Sequence, residues 1–175
     1  RVLFRSGLFR DCGFGEAPAP IPALDLDLRQ VQADDLKDFD AVVHLAGISN
    51  DPVGDLSPQC TYEINHAASV RLAALAKEAG VPRYLFSSSC SLYGSAGEDF
   101  VDETAGFNPV TPYGESKILV EQDVSLMAGD DFSPTFLRNA TVYGVSPRLR
   151  TDLVVNNLTG FAYLQGEVLL MSDGT

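Results

Sequence analysis

No two cysteines in this chain stand in a C-x-x-C pair. The three present, Cys12, Cys60 and Cys90, form an odd and scattered set. Such a set reads as reduced thiols of a cytoplasmic protein rather than as a disulfide framework. Histidine is equally scarce. His44 and His66 are the whole complement, and without paired cysteines they offer no ligand spacing for a metal. His44, inside an apolar run, reads as a satisfied core histidine, and His66 as a packing or surface residue. No apolar run approaches the roughly 20 residues of a membrane-spanning helix, and no basic-then-apolar leader is visible. Cations are few: 12 Lys and Arg face 24 Asp and Glu, a net charge of -12. A field of that sign repels phosphate backbones and argues against a nucleic-acid partner. It still admits a small anionic ligand, which backbone amides and single arginines hold locally.

What is there is enough for a core. The chain has 175 residues, 45% hydrophobic and 21% charged, which suits one folded domain. It opens at Arg1 and closes on Asp173-Gly174-Thr175, and we expect it to be a segment of something longer. Short apolar runs alternate with helical patterns, the signature of βαβ units and a parallel sheet. Strands are expected at 1–4, 23–28, 41–45, 84–88, 133–138 and 167–171. Helices are expected near 34–37, from Pro58 to about Ala79, from Pro112 to about Met127, and over 152–160. Ser57-Pro58 reads as an N-cap followed by Pro at the first helical position; Gly80 and Pro82 end that helix. The stretches 7–22 and 49–57, rich in Gly, Pro and Asn, read as loops.

Chemistry enters with Tyr113-Gly114-Glu115-Ser116-Lys117. Tyr and Lys at i and i+4 project from one face of a helix. Free tyrosine is a poor base at neutral pH, and a nearby ammonium favours its phenolate. Such a tyrosine takes a proton from an alcohol while hydride leaves the same carbon for a nicotinamide. With six tyrosines and three lysines in the chain, the pair arises by chance about one time in ten. Two further segments add weight. Phe86-Ser87-Ser88-Ser89-Cys90-Ser91-Leu92-Tyr93-Gly94 follows an apolar strand, and functional residues of parallel sheets sit beyond the carboxyl ends of strands. His44-Leu45-Ala46-Gly47 ends another strand with small residues that let backbone approach a ligand. Alone, the first of these is a polar turn and the second a tight turn.

Taken in order, these segments resemble the extended short-chain dehydrogenase/reductase family, and within it the NAD-dependent epimerase/dehydratase group that acts on nucleotide sugars. Ser-Ser-Cys-Ser-Leu-Tyr-Gly, Pro-Tyr-Gly-Glu-Ser-Lys and Leu137-Arg138-Asn139-Ala140-Thr141-Val142-Tyr143-Gly144 carry the resemblance. It implies a Rossmann-like, doubly wound α/β domain over residues 1–175, with the substrate-binding region beginning after about residue 145. It implies Ser89, Tyr113 and Lys117 as the catalytic trio. It assigns Asp27 and Leu28 to the adenine, Leu45, Ala46 and Gly47 to the loop beneath the cofactor's phosphates and ribose, and Asn65 to support of the cofactor site. Ser87 is grouped with the cofactor-binding residues, and Ser89, Ser91 and Thr141 with the substrate. The implied cofactor is NAD, with NADP as the alternative. The implied partners are a nucleotide sugar and a second copy of the chain, packed through the helix of Tyr113 and the long helix before it.

The chain departs from that pattern in places. Gly7, Gly13 and Gly15 lack the spacing of the Gly-x-x-Gly-x-x-Gly phosphate loop, and residues 1–5 align with the family's second strand. The first strand and its loop are therefore expected to lie outside this segment, which alone is expected not to bind cofactor. Arg5 stands where an acidic residue usually grips the ribose, as it would to accommodate a 2′-phosphate or at a mis-joined terminus. Cys90 and Ser91 occupy the places of the Asp-Glu pair of sugar 4,6-dehydratases, and neither is an acid catalyst in the unperturbed state. Asp152 lies near the place of an Asn that approaches the substrate's phosphates. The expectation is a 4-epimerase-like nucleotide-sugar epimerase. The alternatives are a nucleotide-sugar ketoreductase or dehydrogenase, and a non-catalytic NAD(P)-binding regulator.

Overall fold

Three short runs of mainly aliphatic and aromatic residues lie side by side as a parallel sheet in the computed structural model, which describes residues 22, 26–49, 51–94, 100–146 and 149–170. The strands are β1 (Val42–His44), β2 (Arg83–Ser87) and β3 (Ser133–Leu137), in the order β1-β2-β3. Register sets His44 beside Phe86 and Phe86 beside Phe136. Parallel strands need crossovers. The chain supplies α1 (Asp51–Leu56), α2 (Pro58–Thr61), a π-helical turn (Tyr62–Ala67) and α3 (Ala68–Glu78) between β1 and β2. Between β2 and β3 it supplies α4 (Pro112–Ser125). This is the parallel βαβ arrangement that the alternating pattern predicts, and it agrees with the Rossmann-like α/β domain that the resemblance implies.

Side chains alternate along β2: Tyr84 and Phe86 are buried, while Arg83 on the other face is exposed. Leu72, Ala73 and Ala76 of α3 and Val120 and Val124 of α4 close over that buried face, with Val31, Val81 and Phe132 at its edges. Two polar groups enter this core with partners, as burial requires. His44 Nε2 lies 2.8 Å from Ser69 Oγ, and Tyr84 donates its hydroxyl to the Ser69 carbonyl at 3.1 Å. His44 is thus a core histidine, as read. Burial, reinforced by the charge of Lys117, pushes it down to about 4, so it is neutral at pH 7. His66 ties the π-turn to α4, its Nε2 standing 2.7 Å from Asp123 Oδ2.

Local signals place most boundaries. Ser57 Oγ accepts the Cys60 N–H at 3.5 Å, with Pro58 in the first turn. Gly80, at φ +80°, ends α3 by donating its N–H to the Lys77 carbonyl at 3.0 Å. Four expectations need correction. Residues 51–56 are helix rather than loop, because the Asp51 carboxylate accepts a hydrogen bond from Thr111, 60 residues on. Leu28 opens a 3₁₀ turn, Leu28–Gln30, instead of ending a strand, because Asp27 accepts the Arg29 N–H at 2.9 Å and caps it. Residues 167–170 pair with no strand among the described residues. Finally, α5 (Val154–Gln165) runs past Gly160 to Gly166, which adopts φ +75° and closes it. The strand expected at 1–4 and the loop at 7–21 lie outside the described residues, as do Ala23–Asp25 and Met171.

The described chain divides at Ala140 into two compact units. The first holds the sheet and α1 to α4. In the second, Asn156 accepts the Gly144 N–H at 2.8 Å and donates to the Arg150 carbonyl at 2.8 Å, which fixes the start of α5. No helix among the described residues is long and apolar enough to cross a membrane.

Phe132 is 1% exposed and stacks at 6.1 Å on Tyr84. Phe132→Ala in the full-length protein is expected to lower unfolding free energy by about 3–5 kcal/mol, read as a shift of the urea midpoint at constant slope.

Candidate active site

The helix that carries Tyr113 and Lys117 starts at a well-made cap. Thr111 Oγ1 accepts the Gly114 N–H at 3.1 Å and donates to the Asp51 carboxylate, and Pro112 takes the first helical position. The face shared by Tyr113 and Lys117 turns inward, leaving them 8% and 6% exposed. Lys117 Nζ donates to the Ser87 carbonyl at the end of β2, 2.8 Å away. It lies 4.5 Å from the ring centroid of Phe86 and 5.5 Å from that of Tyr113. Burial pushes the ammonium down to about 8 from the ordinary lysine value of 10.5.

The serine cluster turns sharply beyond β2. Ser89 caps a 3₁₀ turn, Cys90–Tyr93, by accepting the Ser91 N–H on its Oγ at 3.1 Å. A hydroxyl that accepts in this way keeps its own O–H to donate. This turn packs against the first turn of α4. Position 114 permits it: a Cβ there would stand 2.9 Å from the Ser91 carbonyl oxygen. A glycine in the first turn of a helix is otherwise a weak helix former.

The loop after β1 is held from the same helix system. Asn65, 1% exposed, projects from the π-turn. Its Oδ1 accepts the Ile48 N–H at 2.8 Å, its Nδ2 donates to the Ile48 carbonyl at 3.0 Å, and the same Nδ2 lies 3.4 Å from Ser116 Oγ. Ser116 in turn donates to the Tyr113 carbonyl at 2.7 Å. Gly47 sits at φ +149°, and a Cβ there would meet Asn65 Oδ1 at 2.8 Å. Backbone at the end of β1 is therefore bare where parallel sheets receive ligands.

The structure thus brings Ser87, Ser89, Ser91, Tyr113 and Lys117 around the end of β2, and Leu45, Ala46, Gly47 and Asn65 around the end of β1. Leu45 is exposed. Asp27 and Leu28 lie at the 3₁₀ turn before β1. There the Asp27 carboxylate takes two hydrogen bonds from the Arg29 guanidinium, at 2.9 and 2.7 Å, which hold it down at about 2. Thr141 opens the second unit and is exposed. In that unit Asp152 is clasped by Arg150 at 2.8 and 2.5 Å, so the carboxylate near the expected phosphate position carries its own counter-charge.

Sequence reasoning missed Ser88, Glu121 and Arg138. Glu121 is 6% exposed and accepts from Ser88 Oγ at 2.5 Å and from the Arg138 guanidinium at 2.8 to 3.2 Å. The signal was present. Glu121 stands four residues beyond Lys117 on the same helical face, between the apolar Val120 and Val124, where an acid requires a buried partner.

Comparison with known proteins places this geometry in context. A family model described as "NAD dependent epimerase/dehydratase family" matches residues 16–175. The UDP-glucose 4-epimerase of Azospirillum brasilense is 32% identical over 139 residues, which are 77% of this chain and 40% of that protein. Among solved structures, MoeE5 in complex with UDP-glucuronic acid and NAD is similar at a TM-score of 0.72 and 31% identity, over 85% of this chain and 52% of that one. TunA, described as an NAD dependent-NDP-hexosamine 5,6-dehydratase, is similar at a TM-score of 0.73 and 26% identity, over 86% of this chain and 50% of that one. The chain therefore spans about half the length of these proteins or less.

The Lys117 ammonium is expected to titrate near pH 8 in the absence of ligand, whereas the Asp34 carboxylate holds Lys37 above the ordinary lysine range. NMR of isotopically labelled lysine Cε resolves the two. Because the folded state releases this proton more readily than the unfolded one, the Lys117 contribution makes stability rise with pH between about 8 and 10.5. Lys117→Met is expected to flatten that part of the stability profile.

Proposed function

Because the chain belongs to the NAD-dependent epimerase/dehydratase family, we propose that the protein it comes from is an NAD-dependent nucleotide-sugar epimerase of the 4-epimerase kind. The observation that carries this reading is the convergence of Ser89, Tyr113 and Lys117 at the end of β2, with Cys90 and Ser91, rather than carboxylic acids, following the serine. Relatives named UDP-glucose 4-epimerase support the substrate class.

The residues present suit part of a dinucleotide. Gly47 leaves the backbone at the end of β1 open to close approach, and Asn65 fixes that loop through both polar groups of the Ile48 peptide. Lys117 spends one of its three N–H donors on Ser87, and a ribose hydroxyl is a suitable acceptor for another. Bound NAD supplies a reversible acceptor for hydride from the sugar carbon. Tyr113 takes the proton from the hydroxyl on that carbon and later returns it. The Lys117 charge stabilises the phenolate while the proton is away. Ser89 donates its O–H to the reacting oxygen, which favours carbonyl character as the bond order rises. These groups need only hold the oxygen of the ketosugar, so the rest of that molecule is free to turn and present its other face.

Residues 1–175 belong, in this reading, to one cofactor-binding domain, with the substrate portion starting after about residue 145. A homodimer packed through α4 and the helix before it, and a cytoplasmic location with Cys60 and Cys90 as exposed thiols, complete the proposal.

The test uses the full-length protein with NAD and UDP-glucose, followed by NMR of the sugar. Formation of the 4-epimer without net change in NADH supports the reading. Net cofactor consumption would make the protein a ketoreductase or dehydrogenase, and tight NAD binding without turnover a regulator. Tyr113→Phe is expected to lower kcat by about 10²–10⁴; undiminished turnover would sink its role.

A further inference from the structure

Glu121 stands outside the chemistry described above, yet it is the most deeply buried acid among the described residues of the first unit, and its two side-chain partners follow two different strands. Ser88 follows β2 by one residue and donates to Glu121 Oε1 at 2.5 Å. Arg138 follows β3 by one residue, and its Nε and Nη2 reach both carboxylate oxygens, at 2.8 to 3.2 Å. The remaining guanidinium nitrogen, Nη1, donates to the Tyr93 hydroxyl at 2.8 Å and to the Glu103 carbonyl at 2.9 Å. The rings of Tyr93 and Phe107 lie against the guanidinium carbon, 5.5 and 4.9 Å from it.

Ser88 and Tyr93 are the two ends of the segment that carries Ser89. One ion pair therefore grips that segment twice, Glu121 holding its start and Arg138 its end. A further bond runs beside them, from the Cys90 N–H to the Asn139 carbonyl at 3.0 Å. Glu121 also stands one helical turn beyond Lys117, so the same pair ties the segment to the helix of Tyr113 and Lys117. Stability alone is a poor reason for such a pair, since replacing a buried ion pair by well-packed apolar groups is often neutral or stabilising. Geometry is the better reason: a hydroxyl that must meet a reacting oxygen needs its backbone held to within about half an ångström.

We infer that Glu121 is a positioning residue which, through Ser88 at one end and Arg138–Tyr93 at the other, fixes the turn that presents Ser89 beside Tyr113 and Lys117. This rests on the reading of Ser89 as the group that holds the reacting oxygen. It predicts that loosening either grip slows the chemical step while leaving nucleotide-sugar binding intact.

Ser88→Ala is the informative variant, because it removes one hydroxyl and leaves the Glu121–Arg138 pair whole. In the full-length protein it is expected to lower kcat about tenfold, with KM within about twofold and the thermal midpoint within about 2 °C of native. Glu121→Gln, which keeps size and an acceptor oxygen but weakens both grips, is expected to lower kcat further. Crystal structures of both variants are expected to show the Ser89 hydroxyl displaced and the Tyr113–Lys117 helix in place. Native kcat in Ser88→Ala, or lost stability with unchanged kcat, would overturn the inference, as would a Ser89 hydroxyl that keeps its position in both crystal structures. If the native full-length protein turns over no nucleotide sugar, the epimerase reading fails, and the crystal structures still decide the positioning.

Discussion

A positive charge lies buried where α4 meets the end of β2, and the surrounding arrangement depends on how it is held. Lys117 is 6% exposed and rests on the Ser87 carbonyl and the face of Phe86. An ammonium taken out of water must be given dipoles and polarisable surface in exchange, or it gives up its proton. The downward shift of Lys117 shows that the exchange is incomplete. That incompleteness makes the group useful, because an ammonium short of partners is ready to accept new ones. It also joins α4 to the end of β2, the two elements that carry Tyr113 and Ser89.

Close approach does the rest. The turn after Ser89 meets α4 only because position 114 has no side chain, and the loop after β1 meets Asn65 only because position 47 has none. Asn65 then speaks to two places at once, the Ile48 peptide and, through Ser116, the carbonyl of Tyr113. The ends of β1 and β2 are thereby linked by side chains whose other ends sit in a packed core, which is how a rigid scaffold holds reacting groups in place.

Much of this was legible in the sequence where the determinants are local. The Tyr-x-x-x-Lys spacing, the Ser57-Pro58 helix start and the apolar strand at 84–88 are written within a few residues, and each occurs close to where it was read. What escaped depends on distant partners. Asp51-Pro52-Val53-Gly54 has the composition of a loop, and becomes a helix alongside Thr111. The place of Glu121 among apolar residues calls for a buried partner, but only the fold names Ser88, 33 positions earlier, and Arg138, 17 later. Asp27, read as an extended-segment residue, folds back on Arg29 because a short acid and a guanidinium two residues apart satisfy each other locally.

The π-turn at Tyr62–Ala67 carries a consequence for how this chain varies over time. A π-turn holds one residue more than the regular helix around it requires. Losing a single residue there would let the helix close into ordinary α geometry, with α3 still aimed at the core, but Asn65 would no longer reach the Ile48 peptide. Shortening this segment is thus cheap for folding and expensive for the loop after β1. The length of the segment, more than its composition, should separate descendants that keep a working site from those that keep only the fold.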